Sequence, residues 1–351
     1  MSMCTIVSIS QSALKHNLLV VKENSPNSKI VSMVKANAYG HKINLINPII
    51  NHSDLLAVSE ISEAKKLRKI TKKPILLLSG VIEDQELQQA IKLNCQIVVH
   101  DKTQITTINN TKQPINIWIK INTGMHRLGL STHEYFDCIK LLANNPLINT
   151  QCVMSHFACA DEINHPMNQS QLFEFKKSTY HTTKRSMANS AAILSNPASH
   201  FDYVRPGIML YGVSPFEIIN NHLKPVMQIS APIMSIKTIQ TGDSVGYGAT
   251  WIAKKSTTIA TIGIGYGDGY PRHAKNGTPV LINNNLCPLI GRVSMDLICV
   301  DISNVKASVG DNVILWGAQK LRIETIAKYS DTIAYELLTG ISSRVAFVST
   351  I

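Results

Sequence analysis

The 351-residue chain is predicted to be an α/β protein. An N-terminal (β/α)8 TIM-type barrel spans residues 1–225, and a mainly-β C-terminal domain spans 226–351. Three observations carry this prediction. Eight short β-rich runs alternate with helical stretches at a spacing of about 25 residues, the rhythm of repeated βα units. Near Pro225 the pattern breaks, and closely spaced strands joined by Gly, Asn and Asp turns take over. Polar and basic side chains also recur at the C-terminal ends of the β-rich runs, where such a barrel places its chemistry.

The eight runs are "KIVSMV", "DLLAVS", "PILLLS", "CQIVVH", "INIWIKI", "QCVMSH", "RSMAN" and "FDYVRP". Between them lie stretches such as "EISEAKKLRKI" and "EDQELQQAIKL", with apolar residues at helical spacing. An open doubly wound sheet gives a similar alternation, and the eight repeats favour closure into a barrel. Beyond Pro225 come "QISAPIMSIKTIQTGDSVGYG", "TTIATIGIGYGDGY", "TPVLINNNLCPLIG", "MDLICVDIS" and "DNVILWG". In this half only "RIETIAKYSDTIAYELLTGI" reads as helical.

Composition narrows the function. Apolar content of 44% and charged content of 16% suit a soluble globular protein. No apolar run reaches the ~18–20 residues of a membrane helix, and "MSMCTIVSISQSALKHN" does not read as a signal peptide. Seven cysteines, odd in number and without a Cys-x-x-Cys pair, point to a reduced cytoplasmic compartment. The charge of +11 invites a nucleic-acid reading. However, the densest basic run, "AKKLRKITKK", holds Leu67 and Ile70 three apart, as on the solvated side of an amphipathic helix. No aromatic residues interleave it, so no nucleic-acid partner is expected. The basic balance suits a small anionic ligand. Alternating glycines in "GIGYGDGY" do not make G-x-G-x-x-G, and no P-loop occurs, which argues against dinucleotide binding.

The strand ends carry Lys35 after the first run, and Lys120 with Arg127 after the fifth. His156 follows the sixth, Asn189 and Ser190 the seventh, and Arg205 the eighth. A single terminal lysine is more often a solvated end than a catalyst; several such groups on one face of one fold are not so easily dismissed. The last two loops, "ANSAAIL" and "RPGIMLYG", occupy a common phosphate-binding position in barrels. Ser190 would open a helix there, and Gly207 would allow close backbone approach. Taken alone, Asn189 and Ser190 read more readily as a helix cap, and Pro206-Gly207 as a turn. With a lysine nucleophile and a basic pocket they suggest pyridoxal 5′-phosphate (PLP), joined covalently to the lysine. The lysine must be neutral to react, and neighbouring cations and burial favour that state. His156, Cys159 and Asp161 match no metal-ligand spacing, so no metal is expected. Trp118, Trp251 and Trp316 read as packing residues.

Eight segments then resemble the signatures of the alanine racemase family: "MVKANAYGHK", "NTGMHRLGL", "SHFACADE", "MANSAAIL", "VRPGIMLYG", "VGYGATW", "IGYGDGYPR" and "GRVSMD". The resemblance covers nearly the whole chain in the family's order. It implies that Lys35 carries PLP and acts as one catalytic base. Tyr247, from the other subunit of a homodimer, would be the second base on the opposite face. Tyr39, Ser190 and the backbone near Gly207 and Ile208 would hold the phosphate, and Asn189 and Tyr335 would also belong to the cofactor site. Arg205 would face the pyridine nitrogen, with His156 behind it. Arg127 would meet the cofactor's phenolic oxygen and the substrate carboxylate, helped by the Met295 amide. Tyr266 and Tyr335 would line the approach, with Asp161, Arg272 and Arg292 further out. Lys120 matches a position often carbamylated in the family. The implied activity is interconversion of L- and D-alanine, supplying D-alanine for peptidoglycan.

The physical chemistry agrees. Racemisation removes a proton from one face of Cα and returns one to the other, which calls for two opposed bases. A guanidinium titrates far above a pyridine nitrogen, so it donates a hydrogen bond without giving up its proton. That weakens the cofactor as an electron sink and suppresses side reactions. Against the family pattern, Asn122 stands where aspartate is common and His126 where a small residue is common. Ser294 replaces a frequent cysteine, and Lys42 follows His41 where glycine is usual. Rival readings are a racemase of serine or larger amino acids, a PLP decarboxylase of the same layout, and a non-catalytic PLP carrier. Arg205 argues against the decarboxylase, and the second domain against the carrier.

Overall fold

A computed structural model describes residues 4–182 and 184–351. After β1 (Ile6–Ser10) come the eight strands of a closed barrel. They are β2 (Lys29–Met33), β3 (Leu55–Val58), β4 (Ile75–Leu77), β5 (Cys95–Val99), β6 (Ile115–Lys120), β7 (Ile148–Met154), β8 (Arg185–Ser186) and β9 (Tyr203–Val204). Each pairs in parallel with its neighbours, and β9 closes onto β2. They overlap the eight runs read from the sequence, with β7 starting three residues ahead of "QCVMSH". Strands β3 and β4 are buried at every residue, as parallel strands sandwiched between helices and barrel interior must be. The fold class expected from the sequence is the one observed.

Several barrel helices start where side chains satisfy the free amides. Asp101 accepts from the Thr103 N–H while Gln104 reaches back to the Asp101 N–H. Ser131 and Glu134 make the same reciprocal pair. The basic run "AKKLRKITKK" behaves differently from its spacing. The helix Ile61–Arg68 buries Ala64 and Leu67 but ends before Ile70, which stays exposed. Arg68 stops it by donating to the carbonyls of Thr71, Lys73 and Leu93, pulling the chain out of helical register.

The second unit contains β10 (Met227–Ile239), β11 (Ser244–Val245), β12 (Trp251–Ile252), β13 (Thr257–Ile262), β14 (Pro279–Ile282), β15 (Asn285–Ile290), β16 (Ile298–Asp301), β17 (Asn312–Trp316) and β18 (Ala346–Thr350). Eight strands form one sheet in the order β13-β16-β15-β14-β17-β10-β1-β18. The helical stretch is divided into Ile323–Tyr329 and Ala334–Thr339.

Chain connectivity changes character near Pro225, yet residues 1–225 do not all build the barrel. β1 lies between β10 and β18 in the second sheet. Its alternating burial gives that sheet one apolar side, while the following helix Gln11–Asn24 packs on the barrel. Asn17, fully buried in that helix, donates to the carbonyls of Leu210 and Lys224 and accepts from the Lys224 N–H. One continuous apolar core runs through both units. Trp118 and Trp316 are fully buried within it, and Trp251 packs on a smaller cluster around Val245, Ile259 and Ile290. Among the described residues, no helix is long and apolar enough to cross a membrane.

Candidate active site

Lys35 stands two residues beyond the end of β2, at the start of an unusual turn. Ala36, Asn37, Ala38 and Tyr39 all have positive φ, at 51°, 52°, 60° and 50°. Four consecutive non-glycine residues thus form a left-handed turn, which costs about 1–2 kcal/mol at each position. Hydrogen bonds hold it in place. The Ala36 N–H donates to Glu63, the Lys42 N–H to the Asn37 carbonyl, and the Ile43 N–H to the Asn37 side chain. At Gly40, a Cβ would fall 1.9 Å from the Leu338 carbonyl oxygen, so the turn docks where only glycine fits. Lys42 occupies a left-handed position, φ 66°, that would suit glycine. Its ammonium lies 4.4 Å from the centre of the Phe347 ring, a cation–π contact that helps offset the backbone cost.

The mouth of the barrel encloses a cavity of about 800 Å³. Lys35, Tyr39, Lys120, Arg127, His156, Asp161, Asn189, Ser190, Arg205, Gly207, Ile208 and Tyr335 all line it. The strand-end groups singled out in the sequence therefore meet in one place.

Arg205 is its most constrained member, only 3% exposed. It donates through Nη1 to Ser186 Oγ at 2.6 Å, and through Nη2 to the Ser155 carbonyl and to His156 Nδ1 at 3.2 Å. Because a guanidinium only donates, His156 Nδ1 must be unprotonated. Burial, followed by the charges of Arg205, Lys120, Arg127 and Lys35, holds His156 well below the usual imidazole range. Burial lowers Arg205 to about 10. Lys120 drops to about 8, through burial and then Arg205, Arg127 and Lys35. Lys35 is lowered too, chiefly by burial and next by Arg127.

At the far end of the cavity Asn189 caps the helix Ser190–Ser195, accepting from the Ala192 N–H. Ser190 Oγ accepts from the Gly207 N–H at 2.9 Å. A Cβ on Gly207 would lie 2.6 Å from the Tyr39 hydroxyl, so the absent side chain leaves room for that phenol. Tyr335 leans on Tyr39 at 6.0 Å between ring centres. Burial, followed by Asp161, pushes Tyr335 up to about 12.

The other site residues lie elsewhere. Tyr247, Met295 and Tyr266 are 68%, 54% and 41% exposed on the second unit. Arg272 and Arg292 line a separate cleft with Thr250, His273 and Lys275.

These residues fit PLP. Among the described residues, Lys35, Lys120, Arg127 and Arg205 have no carboxylate partner within ion-pair distance. The like charges around Lys35 and Lys120 lower both lysines, and such a cluster favours a bound anion. A lysine biased toward its neutral amine, beside such a cradle, suits an aldehyde carrying a phosphate. Sequence reasoning missed Ser155 and Ser186, which orient Arg205, and Tyr211, which stacks on Tyr39 at 4.9 Å. Tyr211 lies within "RPGIMLYG", so only its role was unread. Glu324, which lines the cavity and is buried against Arg322 at 3.3 Å, gave no signal.

Fold and site together define a (β/α)8 barrel protein with a mainly-β second unit, whose cavity gathers basic side chains around Lys35. The N-terminal domain of alanine racemase matches residues 9–215, and its C-terminal domain residues 226–349. The chain is 44% identical over 349 residues to the alanine racemase of Actinobacillus succinogenes, covering 96% of each. A solved alanine racemase from Acinetobacter baumannii superposes with a TM-score of 0.95 at 40% identity, over 99% of this chain and 100% of that one. The Bartonella henselae enzyme, solved with covalently bound PLP, gives 0.92 at 29% identity over 99% and 100%. The chain belongs to the alanine racemase family.

Proposed function

We propose that this chain interconverts L- and D-alanine with PLP held at Lys35. The observation that carries the reading is the convergence on one cavity of Lys35, Lys120, Arg127 and Arg205, without carboxylate partners among the described residues, in a chain of this family. PLP supplies the electron-withdrawing system that makes the Cα proton of a bound amino acid removable.

The protein's own groups would then act as follows. Lys35 Nζ exchanges a proton on one face of Cα, in a site where burial and Arg127 already favour its neutral form. Arg127 binds the substrate carboxylate. Arg205, pinned by Ser155, Ser186 and His156, meets the pyridine nitrogen as a donor that keeps its own proton. Tyr39, Ser190 and the backbone at Gly207 and Ile208 take the phosphate, with Asn189 holding the helix start.

One base reaches only one face. The exposure of Tyr247, Tyr266 and Met295 supports a homodimer in which the second unit of one subunit closes the cavity of the other. Tyr247 is then the opposing base, and the Met295 amide a second contact for the carboxylate. Tyr266, Arg272 and Arg292 join Asp161 and Tyr335 along the approach. A cytoplasmic enzyme of this kind supplies D-alanine for peptidoglycan.

The test is to incubate purified protein and PLP with L-alanine, serine and larger amino acids, and to separate the enantiomers by chiral chromatography. Racemic alanine is expected, together with a reductively trapped pyridoxyl group on Lys35 that is lost in Lys35→Ala. Unchanged L-alanine in the presence of bound PLP overturns the reading.

A further inference from the structure

His41 is fully buried, next to the left-handed turn, and no role has been given to it. Its Nδ1 lies 3.1 Å from the Ala38 carbonyl and 2.9 Å from the Tyr39 carbonyl. Carbonyl oxygens only accept, so Nδ1 must carry the proton. Among the described residues Nε2 has no hydrogen-bond partner, and it is shut off from solvent. The ring lies on Tyr211 at 4.5 Å, and Tyr211 lies on Tyr39 at 4.9 Å. The Tyr211 hydroxyl donates to the Met33 carbonyl at the end of β2. The three rings thus tie both ends of the segment that carries Lys35.

A left-handed run of Ala, Asn, Ala and Tyr has no glycine to make it comfortable, so its stability must come from surrounding contacts. His41 supplies two of them inside the run itself, on the carbonyls of Ala38 and Tyr39. We infer that His41 is a positioning residue: its Nδ1–H and stacked ring hold the turn left-handed, fixing Lys35 and Tyr39 at the spacing one cofactor requires. Without that donor, Ala38 and Tyr39 can relax toward right-handed geometry, and the phenol of Tyr39 swings relative to Lys35. The inference rests on the reading that Lys35 and Tyr39 both hold PLP.

His41→Phe keeps a stacked ring and removes the donor. His41→Asn places an amide N–H near the position of Nδ1 and removes the ring. PLP affinity of the apoprotein, read by titration of absorbance, is expected to fall about tenfold in His41→Phe. It should return to within about threefold of wild type in His41→Asn. Nitrogen NMR of the wild-type apoprotein should show the Nδ1–H tautomer, and hydrogen exchange at Gly40 and Lys42 should speed up in His41→Phe. An Nε2–H tautomer overturns the inference, as does a His41→Phe protein with wild-type affinity and protection. If His41→Phe fails to fold, the tautomer and the His41→Asn affinity still decide. If wild type binds no PLP, the functional reading falls, while tautomer and exchange still judge the latch.

Discussion

Asn122 Nδ2 donates to His126 Nδ1 at 3.0 Å. The amide cannot turn round, because Asn122 Oδ1 already accepts from the Gly124 and His126 N–H groups at 3.1 and 3.0 Å. Two departures from the family pattern are therefore one device, closing the turn that presents Arg127. His126 itself sits at φ 54°, a conformation this bonding holds. Asn122→Ala is expected to raise KM for alanine about fivefold, for the loss of about 1 kcal/mol of ordering, with kcat less affected. Asn122→Asp keeps an acceptor for both backbone N–H groups and should stay near wild type. Steady-state kinetics on the three proteins checks the pair.

Gly207→Ala tests the cradle. Gly207 has ordinary negative φ, so the effect is steric: its new Cβ would stand 2.6 Å from the Tyr39 hydroxyl and 3.2 Å from the ring carbon that bears it. PLP affinity should fall about tenfold or more, because the phenol must move. Tyr39→Phe combined with Gly207→Ala should lose less than the sum of the single losses, as expected for residues in contact. Titration of the four apoproteins with PLP gives the coupling.

Acid stability should depend on His41. Burial holds it at about 4 in the folded chain, below its ordinary 6.5. Between those values the unfolded chain binds the extra proton, so stability rises with pH and is lost as pH falls through that window. A shift of this size corresponds to about 3 kcal/mol at full effect. His156, also depressed, acts in the same direction. Urea denaturation from pH 7 to pH 4 should show a shallower loss in His41→Asn than in wild type.

Lys120 should take up carbon dioxide. With its amine at about 8, roughly half is neutral at pH 8, and the neutral amine attacks CO₂ to form an N–C bond while releasing a proton. The resulting carbamate places a negative charge among Lys35, Arg127 and Arg205. Labelled bicarbonate should give a carbamate carbon signal that is absent in Lys120→Ala. Activity should fall in CO₂-free buffer and recover when bicarbonate is restored.

Tyr247→Phe should separate the two faces of the reaction. Solvent exchange of the Cα proton is expected to fall far more from L-alanine than from D-alanine, measured by loss of the proton signal in deuterated buffer. Equal losses would assign Tyr247 another role.

The barrel was legible because buried parallel strands are apolar along their whole length and end on abrupt polar residues. "DLLAVS" and "PILLLS" announce themselves in this way. Most of the cavity followed, since Lys35, Lys120, His156, Ser190 and Arg205 stand at those ends. β1 and β18 were not legible: each is five residues long, and their pairing joins segments about 340 residues apart. Nor was the left-handed turn, because "KANAY" contains no glycine to announce positive φ, and its hydrogen bonds to Glu63 and His41 come from side chains outside it. Exposed Tyr247 was singled out by its motif alone, for nothing in its local periodicity distinguishes it.

The placement of β1 also bears on the order of folding. Among the described residues, β1 finds its strand neighbours in β10 and β18, more than 200 residues later in the chain. During synthesis the barrel can close while residues 6–10 wait, and β1 gains its second neighbour in the second sheet only after β18 arrives. Assembly of that sheet is thus a late, high-contact-order step, and the waiting strand is the segment most exposed to mispairing before it occurs.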